Sequence, residues 1–273
     1  IKTNVQQVKI INTSRCDYEF LNNQIGNDLN LLGKKVAIIG IGSLGSYIAY
    51  ECVRSGIKDL ILIDNDVLSP ENLMRHRGAF LFRNLYKTLT AKFDLECFHP
   101  QINVTEINKA ITEENILDLL PLDIDLVIFA VGSTDIQLTC NRRLKQSNYN
   151  KPVLFCWLEG NGSASHILGV DYSKKGCYQC LCTDPIGNLI NNKINVISEI
   201  ELESRIIRNG CGGTRLAYGN SILLQSAYMS LLAIKKVFSD SFNCNFLFDF
   251  NGNCIIDGDD SFYEGSCSCC NEN

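Results

Sequence analysis

Histidine is scarce in this chain: His76, His99 and His166 are the only three among 273 residues. Chemistry that rests on several imidazoles is therefore disfavoured. A long basic run is also lacking, and the net charge is −5, which argues against a nucleic-acid binder. No apolar stretch approaches the length of a membrane span; the longest are strand-sized. The opening "IKTNVQQVKI" contains no signal-peptide core. It contains no Met either, so the chain reads as a trimmed or excised segment. Repeats and low-complexity tracts are absent. What remains is an ordinary globular composition, 45% apolar, with length for one large domain or two small ones.

Cysteine, by contrast, is plentiful, at 14 residues. With no leader and a sizeable apolar core, this reads as a protein of the reducing cytosol, not a disulfide scaffold. Cys177 and Cys180 lie in "GCYQCL"; Cys267 and Cys270 lie in "GSCSCCNEN". Each pair has two intervening residues, the spacing that lets two thiolates on one tight knuckle share a metal. Two knuckles supply four sulfurs, which suits a closed, structural zinc site. Cys182 and Cys269 adjoin the pairs, and the C-x-x-C geometry favours Cys180 and Cys270 over them. Cys52, Cys97, Cys140 and Cys156 sit among apolar residues and are expected to be buried.

The middle of the chain alternates short apolar runs with helical patterns. "KKVAIIG" (34–40), "DLILID" (59–64) and "DLVIFAVG" (125–132) read as fully buried strands, and "KPVLFCWLEG" starts another. "INVTEIN" alternates like a strand. Helices are expected over "SLGSYIAYECVRSG", ending at Gly56, over 79–95, over "EENILDLL" and over 134–146. This βαβ rhythm predicts an α/β, Rossmann-like sheet, mostly parallel, with helices on both faces. Residues 184–209 read as a long crossover loop with one helix near 198–207. A long helix is expected over 216–237, and "CNFLFDF" and "NCIID" suggest a terminal antiparallel hairpin. Because the cysteine pairs tie the end back to the middle, 1–273 is taken as one domain. Within it, 1–31 is an N-terminal arm, 32–176 a nucleotide-binding half, and 177–273 the zinc knuckles, crossover loop and C-terminal half.

Gly40-Ile41-Gly42-Ser43-Leu44-Gly45 is a G-x-G-x-x-G loop between a buried strand and a helix. Its glycines permit the tight turn and let backbone approach a phosphate at the helix N-terminus. Asp64 ends the second strand, where an acidic side chain meets a ribose hydroxyl. The loop alone does not distinguish NAD from ATP, and a ligand-free glycine turn has the same letters.

The segment from Asp64 to His76, "DNDVLSPENLMRH", resembles the "D-x-D-x-V…N-L-x-R" signature of the ubiquitin-activating superfamily. That superfamily includes the ThiF/MoeB/HesA-type adenylyltransferases of thiamine and molybdopterin synthesis. Lys87 follows where these families carry a helical lysine, and Asp135 in "GSTDIQ" matches their magnesium-binding aspartate. The cysteine pairs match their zinc site, and the likeness runs from Leu32 to Cys270. "GSLGS" and "NLMRH" also resemble bacterial members found in antiphage and ubiquitin-like conjugation operons.

The resemblance implies ATP-dependent adenylation of a C-terminal carboxylate on a ubiquitin-like or sulfur-carrier protein ending in Gly. It implies the cofactors ATP, Mg2+ and Zn2+, a cytoplasmic homodimer, and a conjugating enzyme as a further partner. Gly40, Gly42, Ser43, Leu44, Gly45, Asp64, Asp66, Asn72, Arg75, Lys87 and Asp135 would hold the nucleotide, Asp135 through magnesium. Arg15 stands near the place of an arginine that reaches the partner's site, although "SRCDYEFLNNQ" departs from the usual "R-Y-x-R-Q". Cys211, in "NGCGGTRLAYG", occupies the place of an acyl-capturing thiol. Read singly, the cations also suit solvated helix faces, Asp64 a cap and Asp135 a helix N-cap. Arg15 also suits a surface position, and Cys211 an inert thiol. Three rivals stand beside this reading: an NAD-dependent oxidoreductase, an enzyme adenylating a peptide or other carboxylate, and a non-catalytic subunit.

Overall fold

The computed structural model describes residues 13–196, 206–208, 214–216 and 218–271. Its centre is an eight-stranded sheet in the order β10-β9-β6-β5-β4-β1-β2-β3. The parallel part comprises β1 (Lys35–Ile39), β2 (Asp59–Ile63), β3 (Asn103–Ile107), β4 (Leu126–Phe129) and β5 (Val153–Leu158). β6 (Ser165–Val170), β9 (Phe246–Phe250) and β10 (Ile255–Gly258) extend it as an antiparallel wing. A separate two-stranded ladder pairs β7 (Ile206–Arg208) with β8 (Thr214–Leu216). The described helices are α1 (Tyr18–Gln24), α2 (Ser43–Arg54), α3 (Lys87–Phe98), α4 (Ile116–Leu119), α5 (Thr134–Gln146), α6 (Asn220–Val237) and α7 (Ser268–Asn271).

The continuous apolar runs are explained by two covered faces. Along β1, Val36 and Ile38 join a core with Ile48, Cys52, Leu95, Leu223 and Met229 from α2, α3 and α6. Ala37 and Ile39 join the opposite core with Ile116, Cys140, Leu144, Tyr178 and the cysteine cluster. Successive residues of a strand point to opposite faces, so a strand covered on both sides is apolar throughout. The N-terminal arm belongs to the first core: Tyr18 is buried and its hydroxyl donates to the Val53 carbonyl.

Several expectations shift. The helix expected over 79–95 begins only at Lys87; Phe80–Phe82 form a short 3-10 turn and Asn84 takes a positive φ of 68°. The helix over "EENILDLL" shrinks to α4, because Thr112 and Asn115 close a turn around its start. Gly219 caps α6, so the helix starts at Asn220, and 214–216 are strand instead. The helix expected near 198–207 meets strand at Ile206; 197–205 lie outside the described residues. Cys97 is exposed, while Cys52, Cys140 and Cys156 are buried as expected. The terminal hairpin forms as β9 and β10.

Strand order reverses between β1 and β4, since β1 leads through α2 outward to β2 while β4 lies on its other side. In open α/β sheets the crevice beyond the carboxyl ends at such a switch point is the ligand site. Gly40 and Ala130 directly follow the two strands there.

Candidate nucleotide site and metal centre

Gly40 leaves β1 with φ +89°, and a Cβ there would stand 2.8 Å from Val131 Cγ1 and 2.9 Å from the Ala130 carbonyl oxygen. A Cβ on Gly45 would lie 1.8 Å from the Gly40 carbonyl oxygen, so only glycine lets α2 start against the loop. Gly42 differs: nothing lies within 4 Å of its Cβ position. It is the N-cap of α2 and offers no side-chain cap, which leaves the first N–H groups of a 12-residue helix available to an anion.

Asp64 braces this loop. Its Oδ2 accepts from the Ile41 N–H at 2.7 Å and its Oδ1 from the Asp66 N–H at 2.8 Å. Burial raises its pKa, while Lys87 and the two N–H groups pull the other way. Lys87 is the first residue of α3, 8% exposed, and its Nζ lies 2.6 Å from Asp66 Oδ2. Asn72 closes a capping box with Ser69, so its side chain fixes the loop on which Arg75 sits.

Arg75 donates from Nη1 to Ser43 Oγ at 2.9 Å and to the Tyr218 hydroxyl at 3.1 Å. Its buried Nε–H has no hydrogen-bond partner among the described residues. A buried donor left unpaired costs roughly 1–3 kcal/mol, which an anionic oxygen would recover. Asp135 is exposed in the first turn of α5, and the N-cap is Ser133, whose Oγ accepts from the Ile136 N–H. The cap reading of Asp135 is thereby removed, and its carboxylate stays available at the end of β4. Arg15 is exposed, pairs with Asp17 at 2.5 Å and stacks on Phe20. Cys211 lies outside the described residues.

Sequence reasoning missed Tyr218 and Gln137 here. Gln137 is 1% exposed, donates to the Val131 carbonyl and leaves its Oε1 buried without a partner among the described residues. Gln137 lies seven positions before Leu144, two turns away on the same face of α5, and as a polar residue it gave no periodic signal of its own; only the turn after β4 reveals it.

The cysteine pairs meet as expected. The Sγ atoms of Cys177, Cys180, Cys267 and Cys270 all lie within 4.8 Å of one another. The separations are 4.0 Å for Cys177–Cys180, 3.9 Å for Cys177–Cys267 and 3.6 Å for Cys180–Cys270. Tetrahedral Zn–S bonds of about 2.3 Å place sulfurs ~3.8 Å apart, so the set fits that ion. The Cys177 N–H points at Cys180 Sγ at 3.4 Å, and Asn141 Nδ2 donates to Cys177 Sγ at 3.4 Å. Such outer partners orient metal-binding thiolates. Hydrogen bonds from the surrounding sulfurs hold the Cys177 thiol well below the usual range. Cys182 and Cys269 are buried beside the cluster but outside the four-sulfur set.

A glycine loop at the switch point, an arginine clamped to the start of α2 and a four-cysteine cluster thus occur in one fold. The model of the ThiF family matches residues 22–252. This chain belongs to the ThiF family. It is 28% identical over 251 residues to the ATP-dependent ubiquitin transferase-like protein Cap2 of Vibrio cholerae, covering 87% of this chain and 41% of that protein. It is 32% identical over 127 residues to the molybdopterin-synthase adenylyltransferase of Haemophilus influenzae, covering 45% of this chain and 50% of that one. Ubiquitin-like modifier-activating enzyme 5 of Drosophila simulans is 27% identical over 80% of this chain and 54% of its own length. The chain therefore spans between about a third and two thirds of the length of the curated relatives it matches. Among solved structures, E. coli MccB with ATP superposes with a TM-score of 0.65 at 22% identity, covering 89% of this chain and 68% of that one. That likeness establishes the fold. Among the described residues no helix is long and apolar enough to cross a membrane.

Proposed function

We propose that this chain uses ATP to adenylate the C-terminal carboxylate of a small ubiquitin-like or sulfur-carrier protein. The observation that carries the reading is Arg75: its guanidinium is fixed to Ser43 at the start of α2 and keeps one buried N–H without a partner among the described residues. A planar fork beside an uncapped helix N-terminus is a phosphate clamp. The carboxylate oxygen attacks the α-phosphorus, and pyrophosphate leaves with the electron pair of the broken P–O bond. Little covalent work falls to the protein, which aligns the reactants and neutralises charge. Gly42–Gly45 would present backbone N–H groups, Asp64 would meet the ribose with its remaining lone pairs, and Lys87 would supply a mobile charge once released from Asp66. Asp135 would hold magnesium, a hard ion that prefers carboxylate oxygen and screens the phosphates. The four cysteines would hold zinc as a structural ion.

A second step follows if Cys211 is the acceptor: its thiolate attacks the acyl carbon, a C–S bond forms and AMP departs. The names of the relatives, an adenylyltransferase and a ubiquitin transferase-like protein, support the carrier assignment; a place in antiphage conjugation with a conjugating enzyme as partner is part of the same proposal. A homodimer in the cytoplasm, with neither nucleic acid nor membrane as partner, completes the reading. A hydride-transfer enzyme would use the glycine loop and Asp64 but gives no role to Arg75, Lys87 or Asp135.

ATP–pyrophosphate exchange with candidate carriers tests the proposal. Exchange is expected only when a carrier with a free C-terminal Gly is present, and mass spectrometry should find its AMP ester. Exchange driven by a short peptide alone would move the substrate to the peptide class, and tight NAD binding without exchange would end the adenylation reading. Cys211→Ala should abolish any reducible adduct yet keep the adenylate; an adduct that persists removes Cys211 as the acceptor.

A further inference from the structure

His76 is 6% exposed and has both ring nitrogens engaged by backbone groups. The Gly78 N–H donates to Nδ1 at 2.8 Å, and Nε2 lies 2.9 Å from the Ile41 carbonyl oxygen. An amide N–H can only donate and a carbonyl can only accept. These partners therefore fix one species, the neutral imidazole with its proton on Nε2. Space around it is closed. A Cβ on Gly78 would stand 2.9 Å from His76 Nδ1 and 2.7 Å from Thr90 Cγ2.

The contact falls within a short zipper. Arg75 bonds Ser43 Oγ, His76 bonds Ile41 and the Arg77 N–H donates to Ser46 Oγ at 3.3 Å. Three consecutive residues thus grip the glycine loop and the first turn of α2. Of the three, His76 alone holds the loop's own backbone, on the residue between Gly40 and Gly42. On its other side the Ile41 N–H is held by Asp64. The Ile41 peptide units are therefore pinned from both edges, which sets the direction of the N–H groups that follow.

We propose that His76 is a positioning residue of the nucleotide site, a neutral imidazole that locks the glycine loop and Arg75 into one phosphate-facing unit. The inference rests on the ATP reading above and adds a residue to it. His76 touches no substrate; it acts through Ile41 and through the chain it shares with Arg75. Losing the Ile41 bond strands a buried carbonyl, and the loop re-aims to satisfy it.

The test is ATP affinity by calorimetry for the intact chain and three variants, with KM for ATP and for carrier measured separately. His76→Phe keeps the ring and loses both bonds. ATP affinity is expected to fall about tenfold to a hundredfold, with KM for the carrier unchanged. His76→Gln restores a donor toward Ile41 and should recover most of the loss. His76→Asn restores only the acceptor for Gly78 and should not. If His76→Phe fails to fold, the Gln and Asn variants decide, and equal affinity for ATP in those two overturns the proposal. A folded His76→Phe that binds ATP like the wild type overturns it as well. In the 15N spectrum of the ligand-free wild type, a neutral Nε2–H ring at pH 6 is expected, and an imidazolium or an Nδ1–H ring there refutes the lock. If the wild type binds no ATP, the nucleotide reading falls and takes the inference with it; if it binds and the variants match it, only the inference falls.

Discussion

The parallel part of the sheet and its antiparallel wing each bury a histidine, and they treat it in opposite ways. His76, beside the glycine loop, meets only backbone groups. Burial pushes its pKa from 6.5 down to about 4, with Lys87 and Arg75 adding to the fall and the Ile41 bond opposing it. His166, on β6, is 2% exposed and lies between two carboxylates. Its Nδ1 is 2.6 Å from Asp249 Oδ1 on β9 and its Nε2 is 2.6 Å from Glu159 Oε1. Burial alone would lower it, but the hydrogen bonds and charges of Asp249 and Glu159 outweigh that and raise it. Near the loop, where the proposed nucleotide would sit, orientation comes from the peptide framework and the charged side chains are Arg75 and Lys87. In the wing, paired charge ties strands together and a four-cysteine cluster closes the end.

The sharpest break of that contrast lies in the cysteine cluster. Cys177→Ser removes one of four sulfurs that join residues near 177 to residues near 267. Structural zinc sites contribute folding free energy outright, so a loss of several kcal/mol is expected, with a Tm about 10 °C lower or more. A strong chelator should reproduce it, and elemental analysis should give one zinc per chain before treatment and none after. An unchanged melt in both experiments would show that the wing stands without metal, and its stability would then rest on the ion pairs and β-pairing alone.

How much of this was legible beforehand follows the same division. The glycine loop and cysteine spacings are constraints within a few residues, so the sequence displays them directly. Both are where the reading placed them, and the parallel strands followed from apolar runs covered on two faces. The His166 grouping was not legible, because Asp249 is 83 residues away and reaches β6 only through strand pairing. Glu159, also partnered by the Val196 N–H, lay in "KPVLFCWLEG", which read only as the start of another strand. The stretch before Lys87 misled for a different reason. Its apolar Phe80, Leu81 and Leu85 fit helical spacing, yet they are exposed and the backbone there bridges Val67 to Tyr86. Periodicity records which residues are apolar, not whether a neighbouring segment, here 66–68, has already claimed their backbone.

Titration sharpens the comparison with a smaller effect. For His76 the folded pKa lies below the unfolded one, so the unfolded state binds more protons between the two. Stability is full above pH 6.5 and is lost as pH falls toward about 4, a loss of about 3 kcal/mol if the whole shift is realised. For His166 the sign reverses. Its contribution is present below the unfolded pKa and is lost as pH rises through the raised folded value. The groups that face it are Asp249 from β9, Glu159 after β5 and the Trp157 ring stacked at 5.0 Å. Urea unfolding from pH 4 to 9 should therefore show two limbs. His166→Gln should flatten the alkaline limb and spare the acid one, while His76→Gln should do the reverse. If one substitution flattens both limbs, the two histidines are not independent and the division into two regions fails.

The smallest effect on stability is expected at Arg15, which belongs to neither region. Its side chain is 64% exposed and pairs with Asp17 two residues away. Exposed pairs contribute little because water screens them and two flexible side chains must be held. Arg15→Ala should leave the melting temperature of the chain unchanged. If the arginine reaches the nucleotide of a second copy, the same substitution lowers pyrophosphate exchange without moving stability, and adding an exchange-dead Cys211-intact copy that retains Arg15 restores it. Complementation of that kind requires two chains per site. Failure to complement, with exchange already normal in the variant, would leave Arg15 as a surface charge and place every phosphate contact within one chain.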